Sequence, residues 1–221
     1  MSVANTLEGA ADNGGLAWLM RRVAWGRLQR TSTFLATTTF GTAADAQDAV
    51  DHVRRVHTYV TGIDAEGVPY RADDPHLLLW VHAAEADSFL RCHQRYGAVP
   101  LEAAECDGYV ADAARIAEAL GVPDPPRTQA ELDSVLDAYR PELRATPESR
   151  EVARFLVWHP PLPPLARGPY ALLAATAVAE LPTWARRLLR LPRRSAIESV
   201  LVPPVGRGVV GTVRWAMAAR R

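Results

Sequence analysis

The sequence predicts an all-α fold, a single domain of about eight helices packed as an irregular orthogonal bundle. Apolar residues recur at helical spacing along most of the chain, and residue types that cap helices precede these stretches. No stretch alternates apolar and polar residues in the way that a strand does. With 221 residues the chain can form one substantial core. We expect residues 1–14 to be a loose segment and 15–221 to form the domain.

Composition narrows the class of protein. The formal charge is zero, from 25 basic and 25 acidic residues, so a nucleic-acid partner or an anionic lipid surface is not expected. All the basic residues are arginines, which suggests a GC-rich bacterial genome and excludes Schiff-base chemistry on lysine. Cys92 and Cys106 form no CxxC pair and are expected to be reduced packing residues.

Membrane and export signals are not apparent in the sequence. The N-terminal residues lack the basic and apolar regions of a signal peptide. The longest uncharged apolar run, 170–179, is far shorter than the ~20 residues that span a bilayer. We therefore expect a soluble, cytoplasmic protein without a membrane span.

The first helical pattern covers residues 16–40. We expect it to break near Gly26, because glycine inside a helix costs roughly 1 kcal/mol relative to alanine. Arg27, Arg30, Thr31 and Phe34 fall at i, i+3, i+4 and i+7, so they share one face of this helix. That face is either a solvated surface or a contact for an anion or a cofactor.

The next stretch, 42–62, is predicted to be one helix, with Thr42 as its N-cap and Gly62 after its end. Four valines recur at helical spacing and should form its buried face: Val50, Val53, Val56 and Val60. His57 lies on that face, and Arg54 borders it. Spacing alone leaves two interpretations open, a core histidine bonded to a backbone carbonyl or a ligand for a metal or a haem iron.

After a turn-rich loop, a helix is predicted from Pro75 to Tyr96, with Asp73 or Asp74 as its cap. His82 should lie on its buried face with Leu78 and Phe89, and Glu85 could hold the imidazole one turn later. A core histidine with satisfied hydrogen bonds would show the same pattern.

The rest of the chain continues the helical pattern. Helices are predicted over 101–120, 147–158, 170–180, 183–191 and 209 to the end. Another helix is predicted to begin at Thr128, where Thr128 and Glu131 can form a capping box. The Pro-rich stretch 159–170 is expected to be an extended connector packed on the body. The arginine-rich run 186–194 is predicted to be a solvated helix face.

Several sequence words together resemble those of one family. They include GRLQRT at 26–31, VRRVHTYVTG at 53–62, a Y-x-A-x-DP-x-LL-x-WVHA pattern at 70–83 and RYG at 95–97. As a set they resemble the family of MpaB-type oxygenases, which includes the rubber oxygenases known as latex clearing proteins. The resemblance covers roughly residues 25–218, and the N-terminal part of the family domain is expected to be missing.

The resemblance implies a haem-dependent oxygenase or oxidoreductase that acts on an apolar small molecule with O₂. Haem b would be bound through His57 as the proximal ligand, with Arg54 at its edge. Arg27, Arg30 and Thr31 match a motif on the opposite side of the haem and are the catalytic candidates.

Two further matches refine this expectation. Arg30 stands where rubber oxygenase has a lysine that can occupy the sixth iron site, and a guanidinium cannot ligate iron. A six-coordinate closed state of that kind is therefore not expected. His82 matches the motif of other bacterial members and is placed with the cofactor-binding residues.

Two alternatives remain open. One is a helical binding or scaffold protein that keeps the fold without haem or activity. The other is a non-haem metal site that uses His57 and His82, which has no carboxylate at an obvious spacing to complete a facial triad.

Overall fold

The computed structural model describes residues 13–64, 67–160, 162–192 and, beyond these, 202, 204, 206–208, 210 and 211. For residues 13–24 it describes the backbone alone. The described chain is helical apart from one short hairpin, which confirms the all-α class. The chain divides into two compact units, Met1–His52 and Val53–Arg221. The predicted boundary after residue 14 stays a prediction.

The elements follow one another with short connections. The helices of the first part of the chain are α1 (Asn13–Phe40) and α2 (Ala43–His57). A hairpin of β1 (Thr61–Ile63) and β2 (Pro69–Arg71) comes next. The remaining helices are α3 (Pro75–Tyr96), α4 (Ala103–Leu120), α5 (Gln129–Tyr139), α6 (Pro147–Trp158), α7 (Pro164–Glu180) and α8 (Thr183–Leu188).

Helix α1 runs through Gly26 without a break, so the interruption expected there is wrong. At the start of α2, the Thr42 hydroxyl accepts a hydrogen bond from the Asp45 backbone N–H at 3.1 Å. The Asp45 carboxylate in turn accepts from the Thr42 backbone at 3.2 Å. This reciprocal pair satisfies two helix-end groups, as the sequence predicted for Thr42.

Helix α2 ends earlier than predicted, at His57 and not just before Gly62. The chain turns instead, and Thr61–Ile63 pairs antiparallel with Pro69–Arg71. Gly62 lies opposite Tyr70, where an added Cβ would stand 2.6 Å from the tyrosine oxygen. The predicted valine stripe is therefore only partly correct: Val50 is 2% exposed, whereas Val56 and Val60 are 44% and 42% exposed.

Helix α3 begins as predicted, because the Asp74 carboxylate accepts from the His76 backbone N–H at 2.8 Å and Pro75 occupies the first turn. Its buried face differs from the prediction, since Phe89 is 46% exposed. The core is formed by Ala83, Ala86 and Leu90 of α3, Cys106 and Val110 of α4, and Leu132 of α5. The small side chains on α3 let the neighbouring helices approach closely.

The caps of α4 and α5 agree with the sequence. Gly121 follows α4 with φ 107°, a conformation that favours glycine. At the start of α5, Thr128 and Glu131 form the predicted capping box. Local chemistry therefore sets these helix ends.

The C-terminal half differs from the sequence predictions at two places. The Pro-rich stretch is not extended throughout, because α7 begins at Pro164 and contains Pro169. Arg186, predicted to lie on a solvated face, is 2% exposed, and its Nη1 donates to the Pro192 carbonyl at 3.4 Å. The helix predicted from residue 209 lies mostly outside the described residues.

Polar contacts to one carboxylate, that of Glu180, join α3 to α7. The hydroxyl of Tyr96, which is 6% exposed, donates to Glu180 Oε1 at 2.6 Å. Arg95 lies on the same carboxylate, with its Nε 3.3 Å from Oε1. The backbone of Gly206 packs so close to the Tyr96 ring that a Cβ there would clash with it. The end of α3 is thus fixed by a charge-assisted hydrogen bond.

Candidate functional site

The C-terminal turn of α2 carries the two residues proposed to meet the cofactor. His57 is the last helical residue and is partly buried. Arg54, one turn earlier, is exposed, and its Nη1 donates to the Ala119 carbonyl at 3.4 Å. That carbonyl belongs to the last turn of α4, where a cation is favourable. One guanidinium nitrogen of Arg54 therefore serves a contact between helices.

An aspartate that the sequence placed only as a possible helix cap lies within electrostatic reach of His57. Asp74 makes the cap, and Asp73 instead accepts hydrogen bonds from Arg71 at 2.9 and 2.7 Å. The Arg71 hydrogen bond lowers the pKa of the Asp73 carboxyl, and the charge of His57 makes the smallest contribution to the same shift. Asp73 is therefore primarily the partner of the Arg71 guanidinium.

The three catalytic candidates lie on α1. Because that helix is continuous, Arg27, Arg30 and Thr31 share one face as their spacing predicted. All three are exposed. Two guanidinium groups one turn apart can bind a carboxylate or another anion by paired hydrogen bonds.

His82 lies on the flank of α3 beside the core. Its Nε2 is buried and has no hydrogen-bond partner among the described residues. Burial lowers the pKa of its imidazole, which favours the neutral form. No hydrogen bond joins His82 to Glu85, so the pairing predicted between them is not made. Both histidine rings predicted to be buried, at 57 and 82, are partly buried.

Two other titratable groups, Glu85 on α3 and Tyr109 on α4, have pKa values shifted by burial. Burial raises the pKa of the Glu85 carboxyl. Burial and the Glu85 charge raise the pKa of Tyr109, on α4, to about 12. The flank therefore combines a neutral imidazole that has a buried nitrogen with an acid that is hard to ionise.

His76, which the sequence did not single out, has both of its ring nitrogens within hydrogen-bond distance of a partner. Its Nε2 lies 2.7 Å from Glu142 Oε2, and its Nδ1 lies 3.1 Å from the Tyr139 hydroxyl. With both ring nitrogens engaged, His76 has none available for a metal. Its contacts fasten the first turn of α3 to the end of α5.

Two cavities of the Val53–Arg221 unit are lined by residues other than the proposed ligand. One of about 680 Å³ lies between the end of α3 and α7, and one of about 730 Å³ lies beside α3 and α5. Neither is lined by His57, Arg54 or His82. Within the described ranges no group of three or more His, Cys, Asp or Glu side chains could hold a metal ion. In the same part of the chain no helix is long and apolar enough to cross a bilayer.

The comparisons with known proteins agree with the sequence words. No curated protein and no solved structure is significantly similar to the chain. The family described as "ER-bound oxygenase mpaB/B'/Rubber oxygenase, catalytic domain" matches residues 3–215. This match extends further toward the N-terminus than the resemblance did. The chain therefore belongs to the MpaB/rubber oxygenase catalytic-domain family, a family of oxygenases.

Proposed function

We propose that this protein is a haem-dependent oxygenase that acts on an apolar small molecule with O₂, and that it binds haem b through His57. The observation that carries the proposal is a partly buried imidazole at the end of α2, with the exposed guanidinium of Arg54 one turn earlier on the same helix. An imidazole can ligate a haem iron, and a guanidinium can bind a carboxylate beside it. Membership of an oxygenase family supplies the reaction class.

The donor set of this chain fits an iron porphyrin. His57 would ligate the iron. The guanidinium group of Arg54 would bind a propionate. The haem would supply a redox-active iron for O₂ chemistry.

The remaining candidates have distinct roles in this proposal. Arg27, Arg30 and Thr31 present donors on the α1 face but no iron ligand, because a guanidinium has no lone pair available for coordination. His82 belongs with the cofactor-binding residues, and its buried Nε2 makes it the second imidazole that an iron could recruit.

The test is a haemin titration of the full chain followed by its visible spectrum. We expect a Soret band that His57→Ala removes or shifts strongly. His52→Ala is the matched control, because His52 is an exposed histidine on the same helix. That variant should bind haemin like the parent protein.

The His82→Ala variant separates the two candidate ligands. If it removes the band while His57→Ala leaves it unchanged, the iron ligand is His82 and the assignment to His57 is wrong. If the parent protein takes up no haemin at all, the haem-oxygenase proposal fails.

One alternative is supported by a specific observation. Arg54 donates to the Ala119 carbonyl, so part of its guanidinium is used in a contact between helices. A member of the family that keeps the helical fold as a binding or scaffold protein, without haem, would show the same contacts. This alternative would be favoured if the parent protein is helical and folded but takes up no haemin.

A further inference from the structure

The cavity between α3 and α7 is the feature that the proposed function leaves unused. It lies where α3 ends at Tyr96 and the following turn, 97–99, faces α7, and Val210 is also part of its lining. Its volume of about 680 Å³ lies in the range of small-molecule sites. None of the residues proposed to bind haem lines it. We call it the α3–α7 cleft.

The wall of this cleft is almost entirely carbon. Leu173 and Ala177 contribute it from α7, and Val99 contributes it from the turn. Leu173 is 53% exposed and Val99 is 72% exposed, so their apolar surfaces are left in contact with water. A ligand that covered these side chains would gain the free energy of removing that surface from water.

The only carboxylate in the described lining already has its partners. Glu180 accepts the Tyr96 hydroxyl at 2.6 Å and lies 3.3 Å from the Arg95 guanidinium. A cationic ligand would have to displace Arg95, and an anionic ligand would meet the negative charge of Glu180. A charged ligand would therefore lose hydration without gaining a counter-ion.

The neutral polar groups are also engaged. The Thr176 hydroxyl donates to the Leu172 carbonyl at 2.8 Å, one turn earlier on α7. The His93 ring nitrogen Nε2 lies 3.2 Å from the Val99 carbonyl. The cleft therefore has very few unused polar groups, among the described residues, with which to orient a polar ligand.

We propose that the α3–α7 cleft binds an uncharged, hydrocarbon-like small molecule. The inference goes beyond the proposed function, because it requires neither haem nor His57. Size, a carbon wall and a compensated carboxylate together select a neutral apolar ligand over a fatty acid anion or an amphiphilic cation.

The chain carries a reporter for this site. Cys92 lines the cleft and is exposed, whereas Cys106, the other cysteine of the sequence, is 3% exposed in the core. Burial, Glu180 and Asp87 raise the pKa of the Cys92 thiol, so labelling is best measured at mildly alkaline pH. A ligand seated in the cleft should shield this thiol.

The experiment measures the rate at which Ellman's reagent labels the full chain without haemin. Decanol, decanoate and decyltrimethylammonium are compared below their micelle concentrations. We expect decanol to slow the labelling of Cys92 roughly ten-fold at about ten times its dissociation constant, since only the free fraction reacts. The two ions should protect far less. Cys92→Ser gives the background rate from Cys106.

A pair of variants at one exposed position tests the location. Ala177→Trp should fill the cleft and abolish the fluorescence increase of Nile red, an uncharged apolar dye, while Ala177→Ser should keep it. Helical circular dichroism should be unchanged in both, because Ala177 is exposed.

Two results would overturn the proposal: no protection of Cys92 by saturating decanol, or equal protection by the ions. Unchanged Nile red binding in Ala177→Trp would also overturn it, because the dye would then occupy another place. Haemin uptake is measured separately on the same preparations. A failure of the proposal for the α3–α7 cleft can therefore be distinguished from a failure of the haem proposal.

Discussion

Removing the hydroxyl of Tyr96 tests how much the contact between α3 and α7 stabilises the fold. In Tyr96→Phe the buried ring is kept and only the hydrogen bond to Glu180, 2.6 Å long, is lost. Hydrogen bonds to a charged acceptor contribute about 1.5–3 kcal/mol to the free energy of unfolding. Arg95 remains on the carboxylate in the variant, so Glu180 keeps a counter-charge.

A matched control is available in the same unit. Tyr170 makes a hydrogen bond of equal length, 2.6 Å, to the neutral carbonyl of Leu156. The same chemical change there, Tyr170→Phe, should cost only about 0.5–1.5 kcal/mol. The difference between the two variants isolates the effect of the charge on the acceptor.

The assay is urea unfolding of the two variants and the parent protein. With a slope near 3 kcal/mol/M, a loss of about 2 kcal/mol lowers the midpoint by roughly 0.7 M without changing the slope. A double-mutant cycle with Glu180→Gln should then show a coupling of about 1 kcal/mol or more. If Tyr96→Phe costs no more than Tyr170→Phe, the reasoning from charge assistance is refuted.

The remaining predictions concern backbone, pH and the proposed cofactor. Gly121→Ala should destabilise the fold by about 1 kcal/mol, because Gly121 has a φ of 107°. Gly108→Ala should stabilise it by about 0.5–1 kcal/mol, because Gly108 lies at an exposed position inside α4 with open space around it. Urea midpoints measure both changes, and the opposite order would contradict the backbone argument. The pKa of Glu85 is raised in the folded state above its ordinary value of 4.5, so its contribution to stability is present below that pH and is lost as pH rises through the raised pKa. Glu85→Gln should therefore gain stability relative to the parent as the pH rises above 4.5, and a pH-independent difference would show that burial does not perturb this acid. If His57 ligates haem, Arg54→Gln should weaken haemin binding in a spectrophotometric titration, because the guanidinium would bind a propionate. Unchanged affinity would exclude Arg54 from the haem edge.

Helix starts were predictable because their chemistry is local. Thr42, Asp74 and Thr128 each accept a hydrogen bond from a backbone N–H two or three residues later, so a short stretch of sequence contains the whole interaction. The end of α2 was not predictable in this way. It depends on pairing between Thr61–Ile63 and a strand that follows a turn, and the helical spacing of Val60 concealed that pairing.

The same distinction applies to the candidate site. Arg54 and His57 share the last turn of α2, and Arg27, Arg30 and Thr31 share a face of α1, because spacing on one helix determines which residues are neighbours. After the hairpin the chain returns past the end of α2, where the Ala72 N–H donates to the Val60 carbonyl at 2.9 Å, and no local pattern encodes this pairing.

The burial of Arg186 was also concealed. It lies in a basic run that has the composition of a solvated face, yet it is 2% exposed. Its environment is set by the turn after α8, where the Leu191 backbone N–H donates to the Arg186 carbonyl and the Pro192 carbonyl accepts from the guanidinium. A charged side chain can be buried where the chain folds back to supply acceptors.

The Tyr96–Glu180 contact has a consequence for the order of folding. Its partners are 84 residues apart along the chain. Bringing the ends of such a flexible loop together costs roughly 4 kcal/mol of entropy, more than one hydrogen bond returns. The bond can therefore form only after the helices between its partners have packed, which places it late on the folding pathway. A late contact acts mainly on the unfolding rate, so it governs how long the native protein persists more than how fast the native protein appears.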